Sequence, residues 1–156
     1  MTKSDVATPV RGFEAQKTDF AELFATKPQS EKDEIEKVPL SGAKAEKFST
    51  LHCVVTVVGH SDREDTPGLT ADQRRANELK ASIKRAESAR DWVFQEIRQM
   101  LIDDGQTPPA TLADLHRTSL VTVPCGAARL ERTNPVSEND RKLNRRVEFL
   151  VTFFSP

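Results

Sequence analysis

The sequence contains no tyrosine, one tryptophan and only two cysteines, Cys53 and Cys125. No CxxC or Cys/His spacing is present, so neither a structural zinc site nor a disulfide framework is indicated. Each cysteine lies in an apolar, strand-like run. Both are read as reduced, buried thiols that behave as small core residues, with a disulfide between them as the alternative. Long hydrophobic runs are also missing. None approaches the roughly 20 residues needed to span a bilayer. The opening stretch, MTKSDVATPVRGFEAQ, has no apolar segment of the secretory type, so the expectation from these residues is a cytoplasmic start. Charge of one sign is not in excess, the net charge being −1. Nothing global therefore favours nucleic acid or an anionic membrane surface as a partner. The motifs of common enzymes are absent too: no nucleophile elbow, P-loop, zinc-protease helix or Gly-rich dinucleotide loop. The chain is read as non-enzymatic, with no cofactor and no metal.

The sequence has 156 residues, 37% of them hydrophobic and 30% charged, enough for one modest core. Residues 1–9 are polar and expected to be a loose tail, followed by a single domain over 10–156. A first strand is expected near Val10–Phe13. Ser30, three residues before Asp33, could cap a short helix carrying Ile35 and Val38, which Pro39 ends or kinks. The run LHCVVTVV at 51–58 is β-branched and almost wholly apolar, as a central strand should be. Thr70 with Gln73 forms a capping box for a long helix. Leu79, Ile83, Ala86, Val93, Ile97 and Leu101 recur along it at three- and four-residue spacing, up to Gly105. A helical turn is expected within 110–117 and a strand at 119–124. A polar loop then leads to a strong last strand at 146–154. The order β-α-β-α-β-β predicts an α+β two-layer sandwich, with helices on one face of a mixed sheet.

Two segments carry a resemblance. VVTVVGHSD at 54–62 resembles the strand ending in a Gly-His-Thr-Asp turn of the OmpA-like domain family, with Ser61 in place of Thr. NDRKLNRRVEFLV at 139–151 resembles the same family's Asn-Arg-Arg-Val-Glu signature at the start of its final strand. Between them, ASIKRAESARDWV at 81–93 is similar to the family's helix pattern. The match covers about residues 50–154. The spacing from Asp62 to Asn77 is longer than the family pattern, and a rival alignment places Arg75, rather than Arg85, on the helix motif.

The resemblance implies a module that binds peptidoglycan through the diaminopimelate end of a stem peptide. That group is a zwitterion, and its site needs an anion and a cation at fixed separation. Carried over by motif, Asp62 accepts from the ammonium and Arg85 grips the carboxylate with its planar fork. Asn77 and Ser61 add orienting hydrogen bonds. Arg145 and Arg146 open the last strand and should point to opposite faces. Arg146 is taken as the one facing the ligand, and its neighbour as solvent-exposed. Each residue also has a plainer role: Asp62 as a turn residue bonding local backbone, Arg85 as part of a solvated helix face, His60 as a structural histidine. Two functions follow. The first is anchoring a protein or assembly to the bacterial cell wall, which places the chain in the cell envelope or at the outer membrane. The second is a cytoplasmic structural or assembly protein of the same fold, for example in an injection-type machine, with protein partners in place of peptidoglycan.

Overall fold

The computed structural model describes residues 3–4, 7–48 and 50–155. Among these residues five strands form one sheet: β1 (Lys3–Ser4), β2 (Thr8–Arg11), β3 (His52–Gly59), β4 (Thr118–Pro124) and β5 (Arg146–Phe154). β3 lies between β4, which it pairs in parallel, and β5, which it pairs antiparallel. The far side of β5 carries both β1 and β2, antiparallel. The described residues also form four α-helices, α1 (Phe20–Ala25), α2 (Gln29–Lys47), α3 (Ala71–Asp103) and α4 (Glu138–Asn144), and the expected turn within 110–117 is a 3-10 helix at Leu112–Asp114. The parallel β3–β4 pair requires a crossover, and α3 supplies it. The expected strands at 51–58 and 146–154 thus share a sheet, with α3 packed on it. This is the α+β two-layer architecture that the pattern predicts. Of residues 1–9, expected as a loose tail, Lys3–Ser4 and Thr8–Pro9 lie in strands.

Alternation builds the core. Cys53, Val55, Val57 and Gly59 of β3 turn inward and are buried, while Val54, Thr56 and Val58 on the outer face are only half-buried. Val147, Phe149 and Val151 of β5 join the same layer. The helices answer with Ile35 and Val38 from α2 and with Ala86, Ala89, Val93 and Ile97 from α3. Phe20 of α1 stands edge-on to Phe149 at 5.5 Å and tilts against Trp92 at 5.1 Å. Both cysteines are free; Cys53 is buried, but Cys125 is only half-buried.

The helices depart from the sequence reading in four places. α2 starts at Gln29 with Pro28 as its cap, not Ser30, and it runs through Pro39 to Lys47. Pro39 is buried, and the helix continues because its small residues Gly42, Ala43 and Ala45 are buried behind it. Gly42 lies so close to Ile97 that a Cβ there would be 2.5 Å from its Cδ1. α1 was not expected; Asp19 caps it by accepting from Glu22 N at 3.1 Å. α4 occupies what reads as a polar loop, capped by Ser137, which accepts from Asp140 N at 3.1 Å. Finally, Leu79 is 45% exposed although the periodicity places it on the core stripe. The buried face of α3 begins only at Ser82, so its first turns overhang the sheet. The capping box of Thr70 and Gln73 forms as expected.

Candidate functional site

A cavity of about 330 Å³ opens where β3 ends, between the start of α3 and α4. Its position follows from Gly59. A Cβ there would sit 2.1 Å from the Ser82 carbonyl oxygen, so only glycine lets the strand end meet α3 this closely. The following residues stay buried, because their backbone finds partners across the fold. His60 N donates to Arg146 O at 2.9 Å and Ser61 N to Gly126 O at 2.8 Å. Asp62 is delivered to the cavity wall only 8% exposed.

Each oxygen of Asp62 accepts a hydrogen bond within the chain. Its Oδ2 accepts from Arg141 Nη1 at 2.7 Å and its Oδ1 from Asn144 Nδ2 at 2.8 Å. Arg145 Nη2 approaches Oδ2 to 4.0 Å. Asn144 is wholly buried and is fixed in turn by two bonds to the Arg132 backbone. Arg141 reaches further with its other arm, to Asp65.

Arg85 lines the same cavity from α3, 2% exposed. Its Nη1 donates to His60 O at 3.0 Å and its Nε to Lys17 O at 3.1 Å, with Phe13 stacked 5.2 Å from the guanidinium. Nη2 makes no hydrogen bond among the described residues. Burial lowers the Arg85 pKa to about 10, helped by Arg145 and opposed by Asp62, which leaves it cationic at neutral pH. The cavity is therefore of mixed sign. Arg63, Arg85, Arg141 and Arg145 are matched by Asp62, Glu64, Asp65 and Glu78. Such a lining favours a ligand carrying both charges over one carrying either alone.

Four of the five sequence-derived residues, Asp62, Arg85, Asn77 and Ser61, line this one cavity. Asn77 is exposed at the rim, 3.5 Å from Glu64. The Ser61 hydroxyl is buried and has no partner among the described residues. Arg146 does not belong here. It is 4% exposed and turned away, donating to Glu148 at 2.9 Å and to Arg129 O at 3.1 Å. Its neighbour Arg145, expected in solvent, is 7% exposed and lines the cavity, bonded to Glu138. The two arginines do turn to different surroundings, but Arg145 is the cap that ends α4 and lies outside the strand, so α4 rather than strand alternation brings it to the cavity. Arg75 stands on the exposed surface, paired with Asp72 at 2.5 Å, and does not line the cavity. Arg141 was missed altogether, although Ser137 three residues before Asp140 is a helix-start signal that would have presented it. Among the described residues no group of His, Cys, Asp and Glu could hold a metal ion, and no helix is long and apolar enough to cross a membrane.

No family model and no curated protein matches this chain. Solved structures do. The peptidoglycan-associated lipoprotein from Burkholderia pseudomallei is 12% identical over 92% of this chain and 88% of its own, with a TM-score of 0.50. The cell wall anchor of the T6SS from Pseudomonas aeruginosa is 19% identical over 95% and 80%, with a TM-score of 0.45. The OmpA-like domain of FopA1 from Francisella tularensis is 15% identical over 99% and 77%, also at 0.45. The first of these likenesses shows the fold. The chain has the α+β architecture expected of OmpA-like domains.

Proposed function

We propose that this chain is a non-catalytic module that binds peptidoglycan by the diaminopimelate end of a stem peptide, and so tethers a protein or assembly to the bacterial cell wall at the envelope. One observation carries the reading: Asp62 and Arg85 line one cavity of balanced charge. The ligand's carboxylate would meet the unengaged Nη2 edge of Arg85, with Arg145 behind it. Its ammonium would meet Asp62. The fold shared with the peptidoglycan-associated lipoprotein supports the same reading. So small a group makes few contacts and must displace water from both charges, so single-site binding is weak. An assembly that carries several copies of the chain, attached to a polymer with many such ends, compensates.

The test is a pull-down on purified sacculi with wild type, Asp62→Ala, Arg85→Ala and Arg75→Ala. Loss of binding is expected with the first two variants and not with the third. Loss with Arg75→Ala alone would move the site to the other helix alignment.

A second reading, an assembly protein that keeps the fold without the wall ligand, is favoured by one observation. Both oxygens of Asp62 are already satisfied within the chain, as in a carboxylate with a structural task. Wild type that ignores sacculi would select it.

A further inference from the structure

We infer that Arg141 is an internal competitor for the ligand's ammonium, so that Asp62 is yielded to an end group that Arg85 holds at the same time. The inference rests on the wall-binding reading of the same site. Asp62 is held from two sides that differ in kind. Asn144 is wholly buried and locked to the Arg132 backbone at 2.8 and 2.9 Å, so it is a fixed support. Arg141 is a long side chain from the short helix α4, with 29% of its side chain exposed, and it bridges Asp62 and Asp65. Asp65 is the more exposed partner, at 55% against 5% for Asp62. Arg141 can therefore leave Asp62 and remain paired with Asp65.

The geometry gives the competition its direction. Arg141 Nη1 lies 2.7 Å from Asp62 Oδ2, the distance an ammonium nitrogen would occupy. Arg141 lines the cavity and Asn144 does not, so a ligand ammonium that reaches Asp62 from the cavity meets the position Arg141 holds. A ligand with a carboxylate alone meets Arg85 without disturbing Arg141, but gains nothing at Asp62. A ligand with an ammonium alone must displace Arg141 with no compensating grip from Arg85. Only a group bearing both charges recovers at Arg85 what it spends at Asp62. Asp65 then acts as the parking position for Arg141.

The experiment compares wild type, Arg141→Gln, Arg141→Lys and Asp65→Asn by titration calorimetry. The probe is a soluble tripeptide fragment ending in meso-diaminopimelate, alongside the same fragment with its terminal amine acetylated. Arg141→Gln frees Asp62 and should tighten binding of the amine probe by about two- to fivefold, the scale of one partly exposed ion pair. It should leave the acetylated probe unchanged. Arg141→Lys keeps the competing charge and should resemble wild type. Asp65→Asn removes the parking position and should weaken the amine probe. Binding that weakens or stays level in Arg141→Gln, while wild type still binds, overturns the inference and leaves the wall-binding reading intact. No binding of the amine probe by any variant or wild type overturns both.

Discussion

His60, two residues before Asp62, is 1% exposed, with Glu148 Oε2 3.6 Å from its Nε2. Burial lowers its pKa from the ordinary 6.5; Arg146 and Arg129 push the same way, and Glu148 opposes them. The unfolded chain therefore takes up a proton at a pH where the folded chain does not. The stability contributed by neutral His60 is complete above about pH 6.5, declines as pH falls toward the folded value, and levels off below it. Glu131 and Glu138, held below 4.5 chiefly by hydrogen bonds from Arg11 and Arg145, lose their contribution only in more acid solution. The urea midpoint of wild type should fall as the pH drops below about 6.5, and His60→Gln should flatten that limb. Equal slopes in the two proteins would show that His60 does not titrate there. The same residues mark what was legible in the sequence at this scale. Asp62 and Arg85 could be placed because each sits in a local motif, Asp62 just past the end of β3 and Arg85 within α3. Arg141 and Arg145 could not, because their direction depends on a seven-residue helix whose apolar content is a single leucine. Arg146 reads as a site residue from its motif, yet the sheet turns it toward Glu148.

Helix α3 and strand β3 were both evident from periodicity and β-branching, but the point where they touch was not. That point is Gly59, where the chain needs the absence of a side chain rather than the presence of one. Gly59→Ala would put a methyl 2.1 Å from the Ser82 carbonyl and 3.0 Å from the Ala86 Cβ. Neither neighbour is the movable end of a flexible side chain. The strand end would have to separate from α3, which carries Arg85, while Asp62 follows the strand. Overpacking of this kind costs about 1–3 kcal/mol, with a backbone clash at the upper end. The variant should show that loss in chemical denaturation. At temperatures where it remains folded, it should bind sacculi less well than wild type. Helix α2 teaches a complementary lesson. Pro39 argues locally for a helix end, but burial of Val38, Pro39, Gly42 and Ala43 against the core outweighs the missing hydrogen bond.

Across the whole molecule, the sheet order places β5 between β3 and the two N-terminal strands. Among the described residues neither β1 nor β2 has another strand to pair with, and β3 would keep only its parallel partner β4 if β5 were removed. Val147, Phe149 and Val151 would leave the core with it. A chain ending after Arg145 should therefore show no cooperative thermal transition, whereas the chain carrying residues 146–154 should unfold in one step. A cooperative transition in the shortened chain would mean that the helices and β3–β4 are stable alone. The sequence pattern named this strand correctly but not its neighbours, since pairing partners are fixed by long-range packing rather than by any local signal. The sheet order also bears on synthesis. The strand on which three others depend is the last of them to be made, so the nascent chain cannot close this sheet until residues 146–154 have left the ribosome. Until then its unpaired strands stay open to chaperones.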